Sequence, residues 1–256
     1  LYSDGMITPA VSVLSAIEGL EVITPRFTPY ILPLTLVILI CLFPLQSRGT
    51  AKVGRVFGPI ISIWFVVIGI LGFTSVVEHP GILAALNPIH AIRFLFREGA
   101  LSFGVLGSVF LAMTGTEVMY ADLGHFGRTP IRKAWFFLVY PALLLNYIGQ
   151  GAFLLSHPSQ IENLFFRIVP QWGLLPLVIL ATMATIIASQ AVISGAFSIA
   201  RQSVQLGLWP RIQVRHTSDA KIGQVYVPFV NWFRLLGTVG LVLGFKTSGN
   251  LANAYG

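Results

Sequence analysis

The chain has 256 residues, of which 55% are hydrophobic and 10% charged, and its mean hydropathy is +0.81. A soluble domain carries about 25% charged residues, so a water-soluble globular fold is excluded and an integral membrane protein is implied. The net charge of +7 does not point to nucleic acid, because the basic residues sit in short linkers between apolar runs, where membrane topology accounts for them.

Apolar stretches near the length of a bilayer crossing recur along the chain, which predicts an all-α helical bundle rather than a barrel of short alternating strands. The predicted spans cover about 5–24, 30–45, 56–77, 102–125, 134–155, 174–200 and 225–245, with no soluble domain. In the first span Asp4, Thr8, Ser12 and Ser15 fall at helical spacings of four, four and three, and Glu18 continues the stripe. One helix face therefore carries all of them, and it is expected to turn to the bundle interior. Pro9 removes a backbone hydrogen bond and predicts a kink beside Gly5. For Thr8 and Ser12 two readings stay open, interhelical packing by small hydroxyl residues or ligand binding. Asp4 fits packing less well.

Cys41 stands alone in an apolar run, which leaves no disulfide framework and no metal pair. The segment 78–99 holds His79 and His90 between prolines and a glycine. It predicts short interfacial helices, and two histidines eleven residues apart do not make a metal site.

The fourth span is the unusual one. It begins as apolar helix and then places Thr114, Gly115, Thr116 and Glu117 in a row. An acidic residue at the centre of a span costs roughly 2.5 to 3.5 kcal/mol on insertion scales, so Glu117 is expected to face protein or water and to be functional. Glycine and two threonines supply weak helix propensity and hydroxyl oxygens, the composition of a helix broken near 114–117 to line a cavity. The alternative is one continuous span with Glu117 snorkelling at its inner end. Against it, 102–113 alone is too short to cross.

Beyond it, 128–133 reads as a basic turn, and Asn146, Gln150, Gly149 and Gly151 on the next span read as close helix packing with amide hydrogen bonds. The sixth span carries Ser189, Gln190, Ser194 and Ser198. Lysines and arginines number three, three and four in the linkers 46–55, 128–133 and 201–224, against one, two and one in 25–29, 78–101 and 156–171. The first set is therefore placed in the cytoplasm, which brings Asp4 and Glu117 to the inner halves of their spans.

Carboxylates, hydroxyls and freed carbonyls in a low-dielectric cavity suit a hard monovalent cation, whose hydration shell they replace. A carboxylate desolvated in the membrane favours its neutral form and so takes up a proton more readily, which allows proton and cation movement to be coupled. No nucleophile motif, phosphate loop or transition-metal spacing is present. His125 reads as an interfacial residue, and an enzyme is not implied.

The strings SDGMITPAVSVLSAIEGLEV, GTEVMYADLGHFG, NYIGQGA, ASQAVISGAFS and VPFVNW resemble the bacterial KUP (HAK/KT) potassium uptake transporters, and the resemblance runs from Tyr2 to Gly256. It implies part of an inverted-repeat (APC, LeuT-like) transporter core: the third to ninth helices, with the tenth beginning in SGNLANAYG. It also implies proton-coupled potassium symport, multi-pass, across the bacterial inner membrane, with potassium and protons as the transported species and no cofactor. Carried over by position, the family's acidic proton-coupling residues fall on Asp4 and Glu117. Its potassium-binding oxygens fall on Thr8, Ser12, Thr114 and Tyr255. Ser3 stands where many members have glycine. The family's first helix, with its own aspartate and tyrosine, has no counterpart here, so this stretch by itself is expected not to transport, and a homodimer would form through parts outside it. Two other readings are carried: a transporter of amino acids or of another cation on the same fold, and an inert or structural fragment.

Overall fold

The computed structural model describes residues 4–48, 54–112, 127–208, 210, 213–216 and 225–255. Its helices are α1 (Asp4–Ile23), α2 (Thr28–Leu45), α3 (Gly54–Glu78), α4 (Pro88–Glu98), α5 (Ala100–Ala112), α6 (Arg128–Ala134), α7 (Tyr140–Ser156), α8 (Leu164–Arg167), α9 (Gln171–Gln205), α10 (Pro228–Phe245) and α11 (Ser248–Tyr255). A two-residue strand pair, β1 (Arg215–His216) against β2 (Val225–Tyr226), joins antiparallel in the polar connection between α9 and α10.

Six helical stretches among the described residues are long and apolar enough to cross a bilayer. Five are α1, α2 with the 3-10 turn before it, α3, α9 and α10. The sixth runs from Arg128 to Ser156, because α6 passes through a π turn at Trp135–Val139 into α7 without a break. The basic stretch 128–133, expected as a turn, is thus helical. Its Arg132 and Lys133 lie in the last turn of α6, and the continuing helix supplies donors to the carbonyls of this stretch, the Trp135 amide donating to those of Ile131 and Arg132. The helix α5 is apolar but shorter. Residues 113–126, where the break near 114–117 was expected, lie outside the described residues, as does His125.

Lipid-facing surface is plain on α3. Ile63, Val66, Ile70, Phe73 and Val77 are all exposed, Phe73 by 55% and Val77 by 61%, and they recur at three and four residues. Such a stripe is a liability in water and the expected outer face of a helix in hydrocarbon. The segment 79–98 forms the short helices its prolines suggest: a 3-10 turn at Pro80–Leu86 and α4, which opens on Asn87. The Asn87 side chain accepts from the Ile89 amide at 3.0 Å, a standard N-cap with proline at the first helical position.

The helix α1 is the hub. It packs on α2, α9, α10 and α11. Its apolar face, with Ala10, Val13, Leu14 and Ile17, is buried against Ile31 and Leu39 of α2, Val242 of α10 and Leu251 of α11. One turn around, Ala16 joins Leu174, Leu177, Val178 and Ala181 of α9. The helix remains continuous through Pro9, which sits late enough in the first turns to free only the Gly5 carbonyl from the helical ladder.

Candidate cation site

The polar stripe of α1 lies on the face opposite this core. Thr8, Ser12 and Glu18 are half-buried and Ser15 is exposed. The stripe expected to turn inward is therefore graded in cover, and the fully buried side of α1 is the alanine, valine and leucine face. Thr8 and Ser12 are one turn apart, which stacks their hydroxyl-bearing side chains about 6 Å from each other along the helix. Asp4 is the first residue of α1. Thr114 and Glu117 lie outside the described residues.

The carboxylate of Glu18 meets α11. The Ser248 amide donates to Glu18 Oε1 at 2.8 Å, and the Ser248 hydroxyl donates to Glu18 Oε2. Both oxygens are thus engaged by the first residue of the helix that ends on half-buried Tyr255. Of the residues read as cation ligands, the structure accordingly brings three onto two helices in contact: Thr8 and Ser12 on α1, and Tyr255 on α11.

The first turns of α1 are held by a second polar stripe that sequence reasoning missed. Asn231, Arg234 and Thr238 of α10 recur at three and four residues, so they share one face, and all three are completely buried. Asn231 Nδ2 donates to the Phe43 carbonyl of α2 at 3.2 Å. Thr238 Oγ1 donates to the Met6 carbonyl of α1 at 3.2 Å. The guanidinium of Arg234 lies against Gly5, so close that a Cβ added there would overlap it. Gly237 faces Met6 in the same way. Only a glycine at position 5 leaves room for this buried cation. The sequence reading gives Arg234 no role. The signal that identifies it is its place, a lone arginine two turns inside an apolar helix, where a charge is costly enough to be functional by default.

On α9, which packs along α1, Ser189 is fully buried and Gln190 nearly so. Ser189 Oγ and Gln190 Oε1 have no hydrogen-bond partner among the described residues. Buried oxygens of this kind are acceptors in reserve. Among the described residues no three of His, Cys, Asp and Glu gather as ligands for a metal ion of the transition series.

A bundle of spanning helices with an apolar outer face and hydroxyls, amides and a buried guanidinium inside defines a multi-pass α-helical membrane protein. Comparison with known proteins gives its kind. All of residues 1–256 match the family described as "K+ potassium transporter integral membrane domain", and the chain belongs to that family. It is 61% identical over 253 residues to a protein of Paramagnetospirillum magneticum named "Probable potassium transport system protein Kup 1", covering 99% of this chain and 40% of that one. It is 59% identical over 255 residues to "Probable potassium transport system protein Kup 3" of Dechloromonas aromatica, covering 100% of this chain and 41% of the relative. A "Kup 1" of Geobacter sulfurreducens is 59% identical over 256 residues, with 100% and 41% covered. The chain thus spans about two fifths of the length of these relatives. No solved structure matches it.

Proposed function

We propose that the chain is part of the core of a bacterial inner-membrane potassium uptake transporter that works as a proton-coupled symporter on an inverted-repeat fold. In this reading Thr8 and Ser12 of α1, Thr114 and Tyr255 supply oxygens that replace the hydration shell of potassium. Asp4 and Glu117 carry the proton, each neutral when protonated and each a compensating charge when the cation is bound. Homodimers of the complete transporter would form through segments outside this chain.

The observation that carries the reading is the arrangement of α1. A helix packed on four others bears a stripe of oxygen-bearing side chains, and the helix that carries Tyr255 is fastened to that same stripe at Glu18. The names of the relatives supply the ion. A site built for an amino acid would instead hold a substrate carboxylate at half-helix N-termini, and a glutamate such as Glu117 would repel it.

The test is potassium uptake by a potassium-auxotrophic strain that carries the full-length transporter containing this stretch. Asp4→Asn together with Glu117→Gln is expected to abolish growth and uptake at low external potassium. Undiminished uptake by that double variant overturns the coupling roles, and inhibition of uptake by excess amino acid overturns the choice of substrate.

A further inference from the structure

We propose that Glu18 is a positioning residue for the cation site, a carboxylate clamp that sets the place of α11 and through it of Tyr255. The proposal rests on the reading of Tyr255 as a cation ligand. Glu18 is given no role in transport by that reading, and at the far end of the α1 stripe it is ten residues from Thr8 and six from Ser12. Its two oxygens are both committed to Ser248, one to the main-chain amide and one to the hydroxyl. An anion at a helix N-terminus meets unpaired amides and the positive end of the helix dipole, so this bond fixes α11 by charge as well as by hydrogen bonding.

The residues of α11, SGNLANAY, include a glycine and two asparagines, all of weak helix propensity, and Leu251 among them is buried to 2% against the α1 core residues. Only Lys246 and Thr247 separate α11 from α10. Lys246 sits in the left-handed region at φ 63°, and Asn250 Nδ2 donates back to the Phe245 carbonyl, so the connection is a fixed corner.

The register then matters. Thr238 meets Met6 and Ser248 meets Glu18, so α10 runs in the same direction as α1; α11 packs on both, and Leu251, three residues past Ser248, clusters with Ala10, Val13 and Val242, which folds α11 back along them. Seven residues separate Ser248 from Tyr255, a rise of about 10 Å, and the six residues from Glu18 back to Ser12 rise about 9 Å. A helix rooted on Glu18 and folded back along α1 therefore carries its tyrosine to about the height of Ser12 along the α1 axis. Releasing the root shifts α11 on α1 and with it the place of Tyr255, which weakens one ligand and leaves the α1 hydroxyls where they are.

The experiment measures potassium uptake kinetics of the full-length transporter, normalised to its abundance in the membrane. Glu18→Ala is expected to raise KM for potassium about tenfold, which is about 1.4 kcal/mol of lost binding, with maximal rate per transporter within about twofold, since the proton-coupling roles proposed above fall on Asp4 and Glu117 and not on Glu18. Glu18→Gln, which keeps one acceptor, and Ser248→Ala, which keeps the amide, are expected to raise KM less. In the Glu18→Ala background, Ser248→Ala is expected to add nothing. Unchanged KM in Glu18→Ala, a fall in maximal rate alone, or full additivity with Ser248→Ala overturns the clamp. If Glu18→Ala does not reach the membrane, the KM values of Glu18→Gln and Ser248→Ala decide in the same sense. Tyr255→Phe separates the clamp from the reading beneath it. A raised KM in Tyr255→Phe with none in Glu18→Ala overturns the clamp alone, whereas the converse overturns Tyr255 as ligand and the proposal with it.

Discussion

Two helix contacts in this bundle are both built on glycine, and they differ in what the glycine admits. Between α3 and α7, Gly72 and Gly149 let main chain meet main chain. A Cβ on Gly149 would stand 2.5 Å from Gly72 Cα, and one on Gly72 would overlap the Leu145 carbonyl. Between α1 and α10, Gly5 admits a side chain instead, the buried guanidinium of Arg234. Lipid offers no hydrophobic drive for helices to associate, so close van der Waals packing and interhelical polar contacts have to hold them. The α3–α7 contact uses the first device and the α1–α10 contact the second. The first makes a rigid wall; the second puts charge and hydrogen bonds beside the helix that carries Thr8 and Ser12.

The largest effect should follow from filling the wall. Gly149→Ala places a methyl group against main chain that has no flexible end to move aside. Overpacking costs about 1–3 kcal/mol where side chains can yield, so here the upper end or beyond is expected. Thermal unfolding of the detergent-purified full-length transporter should show it, and an unshifted midpoint would mean that the two helices separate freely.

Gly5→Ala should cost less, about 1–2 kcal/mol, because the group it displaces is the far end of a long side chain. The expected signature is a coupling: in an Arg234→Met background, whose shorter, uncharged end leaves the space open, Gly5→Ala should cost little or nothing. Equal costs in the two backgrounds would show that the guanidinium does not lean on Gly5.

Thr238→Val is expected to be the mildest of the three. It exchanges one hydroxyl bond to the Met6 carbonyl for a methyl of the same shape, a loss of about 0.5–1.5 kcal/mol, read in the same unfolding measurement. A larger loss would mean that this bond carries the register of α10 on α1.

The comparison also explains what the sequence disclosed. Hydropathy alone placed helices such as α1, α3 and α10, because a bilayer demands long apolar runs and makes them conspicuous. The glycines Gly149 and Gly151 were read as packing residues from their neighbours Asn146 and Gln150, and Gly149 indeed meets Gly72. The shared face of Thr8, Ser12 and Glu18 followed from spacing. What spacing does not reveal is the partner of a face. Ser15 belongs to the stripe by periodicity and yet is exposed, since cover depends on which helices arrive beside it. Arg234 stands out only as a charge inside an apolar helix, and its contact with Gly5, 229 positions away by number, shows what it packs against. The engagement of Glu18 with Ser248 is likewise a meeting of residues 230 apart, which no local pattern encodes. The continuation of α6 into α7 was hidden because the basic residues that mark a membrane boundary are equally good helix formers.

The central claim is that the polar face of α1 binds the transported ion. Its most direct test is equilibrium binding of potassium to the purified full-length transporter without any gradient, wild type against Thr8→Val with Ser12→Ala. The account expects binding to weaken at least about tenfold, the loss of two oxygens from a dehydrated cation's shell, while the protein stays folded. Wild-type affinity in the folded double variant would contradict it and move the ion's place away from this helix.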